Sequence, residues 1–134
     1  MKQIVEKLRT EEAAIAKEKG DFDLFALFLR EDAPNKWDLL VAAEWIDKNK
    51  AEAIKYLAQK VQASLTKQEL LLLSKIVIIE ENNPALAAFH GAFHVEHSTA
   101  EIQNSNLFGL QINHAYLITS KRRNSRPTGS SKGQ

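Results

Sequence analysis

The chain has 134 residues, of which 44% are hydrophobic and 26% are charged, as in an ordinary soluble globular domain. It contains no cysteine, which excludes disulfides, thiolate metal sites and cysteine nucleophiles. The N-terminus lacks an apolar signal core, and every apolar run is far shorter than the ~20 residues of a membrane helix. We therefore expect a cytoplasmic protein with no membrane segment.

The charges divide unevenly along the chain. Residues 1–120 carry 13 Lys or Arg against 17 Asp or Glu, whereas residues 121–134 carry five cations and no acid. This division predicts one domain over residues 1–120 and a flexible basic tail over residues 121–134, disordered in isolation. Because nucleic-acid-binding domains normally carry positive charge on the folded surface, an acidic body counts against that class.

The first half of the chain predicts a helix followed by a hairpin. An apolar stripe predicts a helix over residues 3–19, and Gly20 is a natural stop. Residues 22–30 are apolar at both alternating sets of positions, so this strand should be covered on both faces. A polar turn with proline separates it from a second predicted strand at residues 37–45, and the short connection favours antiparallel pairing.

The second half alternates helices and strands. Apolar spacings of three and four predict a helix over residues 51–65, and a capping box predicts a short one ending near residue 73. The remaining elements are a strand at residues 75–80, a helix at 84–93, and strands at 99–103 and 110–119 joined by a turn at 104–106. The order α-β-β-α-α-β-α-β-β favours an α+β fold, with about five strands in a mostly antiparallel sheet packed with three to four helices.

Residues 20–41 (GDFDLFALFLREDAPNKWDLLV) resemble the signature hairpin of a family of small uncharacterised bacterial proteins. The resemblance covers 22 of the 134 residues. It implies a bacterial protein with a domain of unknown function, and it carries over no activity and no catalytic residue.

Three histidines lie close together in the sequence at positions 90, 94 and 97. If one helix held His90, His94 and His97, their imidazoles would share a face and suit zinc, nickel or copper. Glu96 or Glu101 could then orient a ligand or act as a general base. The alternative is that a bend separates them and leaves ordinary surface histidines. We expect no cofactor, with a divalent transition metal as the alternative.

The turn between the first two strands gathers charges at one end of the sheet. Carboxylates of Asp32 and Asp38, beside Arg30 and Lys36, could hold Mg²⁺ through water or transfer a proton. The alternative is a solvated hairpin end in which Arg30 pairs with a neighbouring acid.

Two tryptophans, Trp37 and Trp45, are eight residues apart in the second predicted strand and should face the same side. They could line a ligand pocket or anchor a partner, and the alternative is core packing. The surplus of apolar residues on both faces of the sheet favours a symmetric homodimer.

The basic tail offers cations for nucleic-acid phosphates at Lys121, Arg122, Arg123 and Arg126. The alternative is a solubilising appendage, since the tail has no aromatic residue for stacking on bases.

No phosphate-binding glycine loop, nucleophile elbow or zinc-protease motif is present in the sequence. The first hypothesis is therefore a non-catalytic binding or interaction module that forms a homo-oligomer, with its protein or small-molecule partner unknown. The alternatives are a small metal-dependent hydrolase or nuclease using the histidines, and a nucleic-acid-associated regulator acting through the tail.

Overall fold

The computed structural model describes residues 1–123, which form five helices and five strands. The helices are α1 (Lys2–Lys19), α2 (Glu44–Lys48), α3 (Lys50–Ser64), α4 (Lys67–Leu70) and α5 (Pro84–Ala92). The strands are β1 (Leu24–Arg30), β2 (Trp37–Ala42), β3 (Leu73–Ile78), β4 (Ala100–Leu107) and β5 (Leu110–Ser120). None of these helices is both long enough and apolar enough to cross a membrane.

The strands form one mixed sheet in the order β3-β2-β1-β5-β4. Three neighbouring pairs are antiparallel, and β2 pairs with β3 in parallel. The α+β class and the predicted order of elements are confirmed, but residues 1–123 form five helices instead of the predicted three to four, because the short helix α2 was not predicted. A mostly antiparallel sheet is only partly right. The three helices between β2 and β3 return the chain to the same end of the sheet, and such a crossover produces a parallel pair.

The second predicted strand is too long, because β2 ends at Ala42 and Trp45 lies in helix α2. The expectation that Trp37 and Trp45 lie on one strand is therefore wrong. The Trp45 indole N–H donates to the Gly20 carbonyl oxygen at 3.1 Å. This contact with a residue 25 positions earlier is tertiary, and local strand propensity does not reveal it.

The predicted turn at residues 104–106 is also wrong. Strand β4 continues to Leu107, and the chain reverses at Phe108 and Gly109. Both turn residues have positive φ, 53° and 76°, as a two-residue hairpin turn requires. The polar residues Asn104, Ser105 and Asn106 thus lie within a strand, although their sequence is typical of a turn.

Both faces of the central strand β1 are buried, as its doubly apolar sequence predicts. One face packs against α1 and α3 through residues such as Leu8, Phe25 and Leu57. The other face packs against α5, where Phe28 contacts the ring of Phe89. Two hydrophobic layers thus enclose the sheet.

Helices α1 and α3 are joined by a hydrogen bond at the edge of their packing. The Tyr56 hydroxyl in α3 donates to the Glu18 carboxylate in α1. Burial, together with this bond to an anion, raises the pKa of Tyr56 to about 12. The neutral phenol is therefore favoured in the folded chain relative to the unfolded one.

We predict that Tyr56 contributes to the stability of the fold and that this contribution is lost at alkaline pH. Because its pKa is raised on folding, this contribution is complete below the ordinary tyrosine pKa of about 10 and is lost as pH rises towards about 12. Urea unfolding of the wild type and Tyr56→Phe across this range should show their difference in unfolding free energy shrinking as pH rises. A difference independent of pH would contradict the assignment.

Candidate functional site

The start of β1 and the end of β5 lie side by side at one end of the sheet. Leu24 is opposite Ser120, and the Lys121 backbone N–H donates to the Asp23 carbonyl oxygen at 3.0 Å. The pairing continues beyond the strands, so residues 21–23 and 121–123 are held together. We call this end of the sheet, formed by residues 21–23 and 121–123, the strand end.

Arg123 is the most heavily bonded cation at the strand end. Its guanidinium lies 2.7 Å from Asp23, 3.0 Å from Asp47 and 3.1 Å from Glu81. Burial raises the pKa of Asp23, and its hydrogen bonds to Arg123 act in the opposite direction. The folded body therefore extends to Arg123, three residues beyond the predicted domain of residues 1–120. Residues 124–134, including Arg126, lie outside the described part of the chain.

Lys121 and Arg122, the other two basic residues of the strand end, differ in their ion pairs. The Lys121 ammonium contacts Glu96 and lies 3.0 Å from Asp21. Arg122 is exposed and has no ion pair within residues 1–123. Of the cations that the nucleic-acid alternative would use, Lys121 and Arg123 are thus already paired with carboxylates of the body.

A buried carboxylate network adjoins the strand end. Glu12 in α1 is fully buried and accepts hydrogen bonds from Thr119 Oγ1 at 2.8 Å and His97 Nδ1 at 2.6 Å. The His97 backbone N–H in turn donates to Thr119 Oγ1 at 3.1 Å. His97 has a φ of 51°, a strained conformation that these bonds hold in place. The network ties the segment after α5 to α1 and β5.

The three clustered histidines do not form a ligand set. They do not share a helical face, because α5 ends at Ala92 and the chain then bends, which agrees with the alternative of a bend between them. His90 Nε2 donates to the Asp23 carbonyl oxygen at 2.9 Å, whereas His97 binds Glu12 and His94 is exposed. No group of three or more His, Asp or Glu side chains in residues 1–123 is arranged to hold a metal ion.

The two glutamates that could have assisted such a metal each contact a nearby cation or imidazole. Glu96 contacts Lys121 and lies 3.6 Å from His97 Nε2, and Glu101 in β4 contacts His114 Nε2 in β5.

The charged turn lies at the opposite end of β1. Arg30 contacts Asp32 at 2.9 Å and Asp38 at 3.4 Å. Asp38 is buried at the start of β2, while Lys36 is exposed and has no ion pair among the described residues. This agrees with the alternative in which Arg30 pairs with neighbouring acids, and it places these residues far from the strand end.

The two tryptophans have different surroundings. Trp37 is buried against the rings of His114 and Tyr116. Trp45 is half-buried and lies against a pocket of about 250 Å³ at the strand end. We call this cavity the strand-end pocket; its basic and aromatic lining consists of Lys19, Trp45, Lys48, Lys121, Arg122 and Arg123.

The sequence hypotheses missed the buried acids that organise this region. Glu12 interrupts the apolar stripe of α1, and an acid at a core-facing position indicates a buried polar partner. Asp23 and Asp47 have no comparable signal, because their partner Arg123 is 100 and 76 residues away.

A second surface lies at the β3 edge of the sheet. An apolar groove of about 500 Å³ runs between α3 and β3 and includes Ile54, Val61 and Ile76. We call it the edge groove. Leu71 and Leu72, directly before β3, have exposed fractions of 68% and 41%, and that of Ile54 is 40%. Large apolar side chains are rarely so exposed together unless something covers them.

Comparison of the chain with protein-family models, curated proteins and solved structures finds no match. The similarity of residues 20–41 to a hairpin of bacterial proteins therefore stays a prediction.

We predict that Arg123→Ala lowers the free energy of unfolding by about 3 kcal/mol, because it leaves the buried Asp23 carboxylate without its cation. Arg122→Ala is the matched control and should change it by less than about 0.5 kcal/mol. Urea unfolding at pH 7 measures both. Equal effects of the two substitutions would show that Arg123 does not hold the strand end.

We predict that Thr119→Val lowers the free energy of unfolding by about 1–3 kcal/mol, because the buried Glu12 loses a hydrogen-bond donor. Thr99→Val, an isosteric change at an exposed position, is the control and should have little effect. Thermal and urea unfolding of both variants provide the measurement. A Thr119→Val protein as stable as the control would contradict the role given to this network.

Proposed function

We propose that this chain is an interaction module that forms a homodimer through the edge of β3. The observation that carries the proposal is an apolar edge strand with no neighbour on its outer side within residues 1–123. The edge groove and the exposed Leu71 and Leu72 lie beside it.

The backbone of β3 is available for a further strand. The Ile79 N–H donates to the Val41 carbonyl oxygen at 2.9 Å, in register with the pairing of Val41 and Ile78. Because these groups alternate along a strand, the N–H and C=O of Ile76 and Ile78 point away from β2. Unpaired groups on an apolar edge are a template for another strand.

The opposite edge of the sheet is less suited to pairing. Strand β4 has the polar sequence AEIQNSNL, with the charged Glu101 near its start and a positive φ of 50° at Asn104. Charge and backbone irregularity are devices that discourage edge-to-edge association. Strand β3, with the sequence LSKIVI, has a single charge at Lys75.

A second copy of the chain fits this edge. If a two-fold axis passes near Val77, antiparallel pairing places Ile76 opposite Ile78 of the partner subunit. Ile76, Val77 and Ile78 then meet apolar residues of the second copy, and Lys75 does not face itself. The product is one continuous ten-stranded sheet, with five strands from each copy.

We predict that the wild-type protein has twice the 15.1 kDa mass of one chain in solution, measured by light scattering after size-exclusion chromatography. Leu71→Lys should shift it to the monomer, because it places a charge in the apolar contact. Leu71 is 68% exposed, so the fold should tolerate the change. Leu110→Lys is the matched control at the β4–β5 turn and should remain dimeric.

Amide hydrogen exchange tests the pairing itself. The amides of Ile76 and Ile78 should exchange slowly in the wild type and quickly in Leu71→Lys. A monomeric wild type at high micromolar concentration would overturn the proposal. A dimer that survives Leu71→Lys but is lost in Leu110→Lys would place the interface elsewhere.

A further inference from the structure

We infer that helix α3 completes the homodimer by packing against α3 of the partner subunit. This contact rests on the proposed pairing of β3 and extends it to the helix layer above the sheet. It closes the edge groove of each copy with the helix of the other.

Pairing of β3 alone buries too little surface to hold two copies together. The strand has six residues, so it spans about 20 Å. Stable protein–protein interfaces bury about 1,200–2,000 Å² and use roughly 20–30 residues from each partner. A second element beside the edge must therefore contribute to the contact.

Helix α3 is the element that lies next to this edge. It contacts β3 and α1, and Ile76 and Ile78 of β3 pack against the same core cluster as Leu57 of α3. The outer side of the helix borders the edge groove. Paired strands lie about 4.8 Å apart, and packed helices lie about 8–10 Å apart. Pairing of the two edge strands thus brings the helices above them to packing distance.

The direction of α3 places its first turns near the two-fold axis. Because β2 and β3 are parallel, the helix that connects them runs opposite to both strands. Lys50, at the start of α3, lies 2.5 Å from Glu80, which follows the end of β3. Ile54 is one helical turn further along and borders the groove together with Ile76. It is therefore close to the axis that passes near Val77.

The outer side chains of α3 suit contact with a second copy of the same helix. Ile54, Ala58 and Gln62 are four residues apart and border the edge groove, and we call them the α3 flank. The charged side chains of the helix lie at other positions, which are Lys50, Glu52, Lys55 and Lys60. A two-fold axis brings the same surface of both copies together, so an uncharged flank avoids repulsion with itself.

Ile54 is the main apolar anchor of this contact. It is 40% exposed in the single chain, although it is a large apolar residue. Each dimer covers two copies of Ile54, one from each chain, and removal of apolar surface from water favours association. The small side chain of Ala58, one turn away, lets the two helices approach closely.

Truncation of Ile54 tests its contribution in the full-length protein. Ile54→Ala should raise the dissociation constant of the dimer at least about tenfold, because both copies lose buried apolar surface. Alanine is a strong helix former, so α3 should remain folded. Leu110→Ala is the matched control, since Leu110 is 39% exposed and begins β5. Sedimentation equilibrium should give it the dissociation constant of the wild type. An unchanged constant in Ile54→Ala would overturn the inference.

Cross-linking locates the contact, because the chain has no cysteine of its own. With a short bismaleimide, Ile54→Cys should form a covalent dimer. Ala63→Cys should not, because this exposed residue lies nine positions further along α3, on the opposite side of the helix. Val77→Cys reports the strand pairing separately, by forming a disulfide across the axis.

The cross-linking outcomes separate this inference from the proposed function. If Val77→Cys cross-links and Ile54→Cys does so no more than Ala63→Cys, the edge dimer is supported and the helix contact is wrong. If Ile54→Cys alone cross-links, the helices meet without strand pairing, and the proposed pairing of β3 is wrong. If none cross-links and the wild type is monomeric, both fail.

Discussion

The ion cluster around Arg123 is the interaction on which the end of this sheet depends. One guanidinium joins Asp23, before β1, to Asp47 in α2 and Glu81 ahead of α5. The Asp23 carboxylate would be costly to bury alone, and its raised pKa shows this cost. A single cation shared among three acids reduces that cost and fixes four separate parts of the chain in one arrangement.

The Glu12 network acts beside this cluster in a comparable way. A fully buried carboxylate is tolerated because two side-chain donors, on Thr119 and His97, satisfy it. The bonds reach from α1 to β5 and to the segment that follows α5. Buried polar networks are sensitive to the loss of any member, because the remaining groups have no water to replace it. The position of the segment after α5 thus depends on a buried carboxylate and its two donors.

The sheet topology separates the edge groove from the strand-end pocket. The three-helix crossover makes β3 parallel to β2 and leaves it as the last strand on its side. That edge is apolar, whereas the strand end, where β1 begins and β5 ends, is charged. A second copy can therefore cover the edge without occupying the pocket.

The amino-acid sequence by itself determined the class of fold, the order of the elements, the buried central strand and the capping box of α4, because these follow from local periodicity and from caps a few residues long. Only the tertiary structure decided that Trp45 belongs to a helix, that His90 and His97 have separate partners, and that Arg123 belongs to the folded body. Those outcomes depend on contacts between residues tens of positions apart, and no local pattern encodes which distant carboxylate a given cation or imidazole will meet.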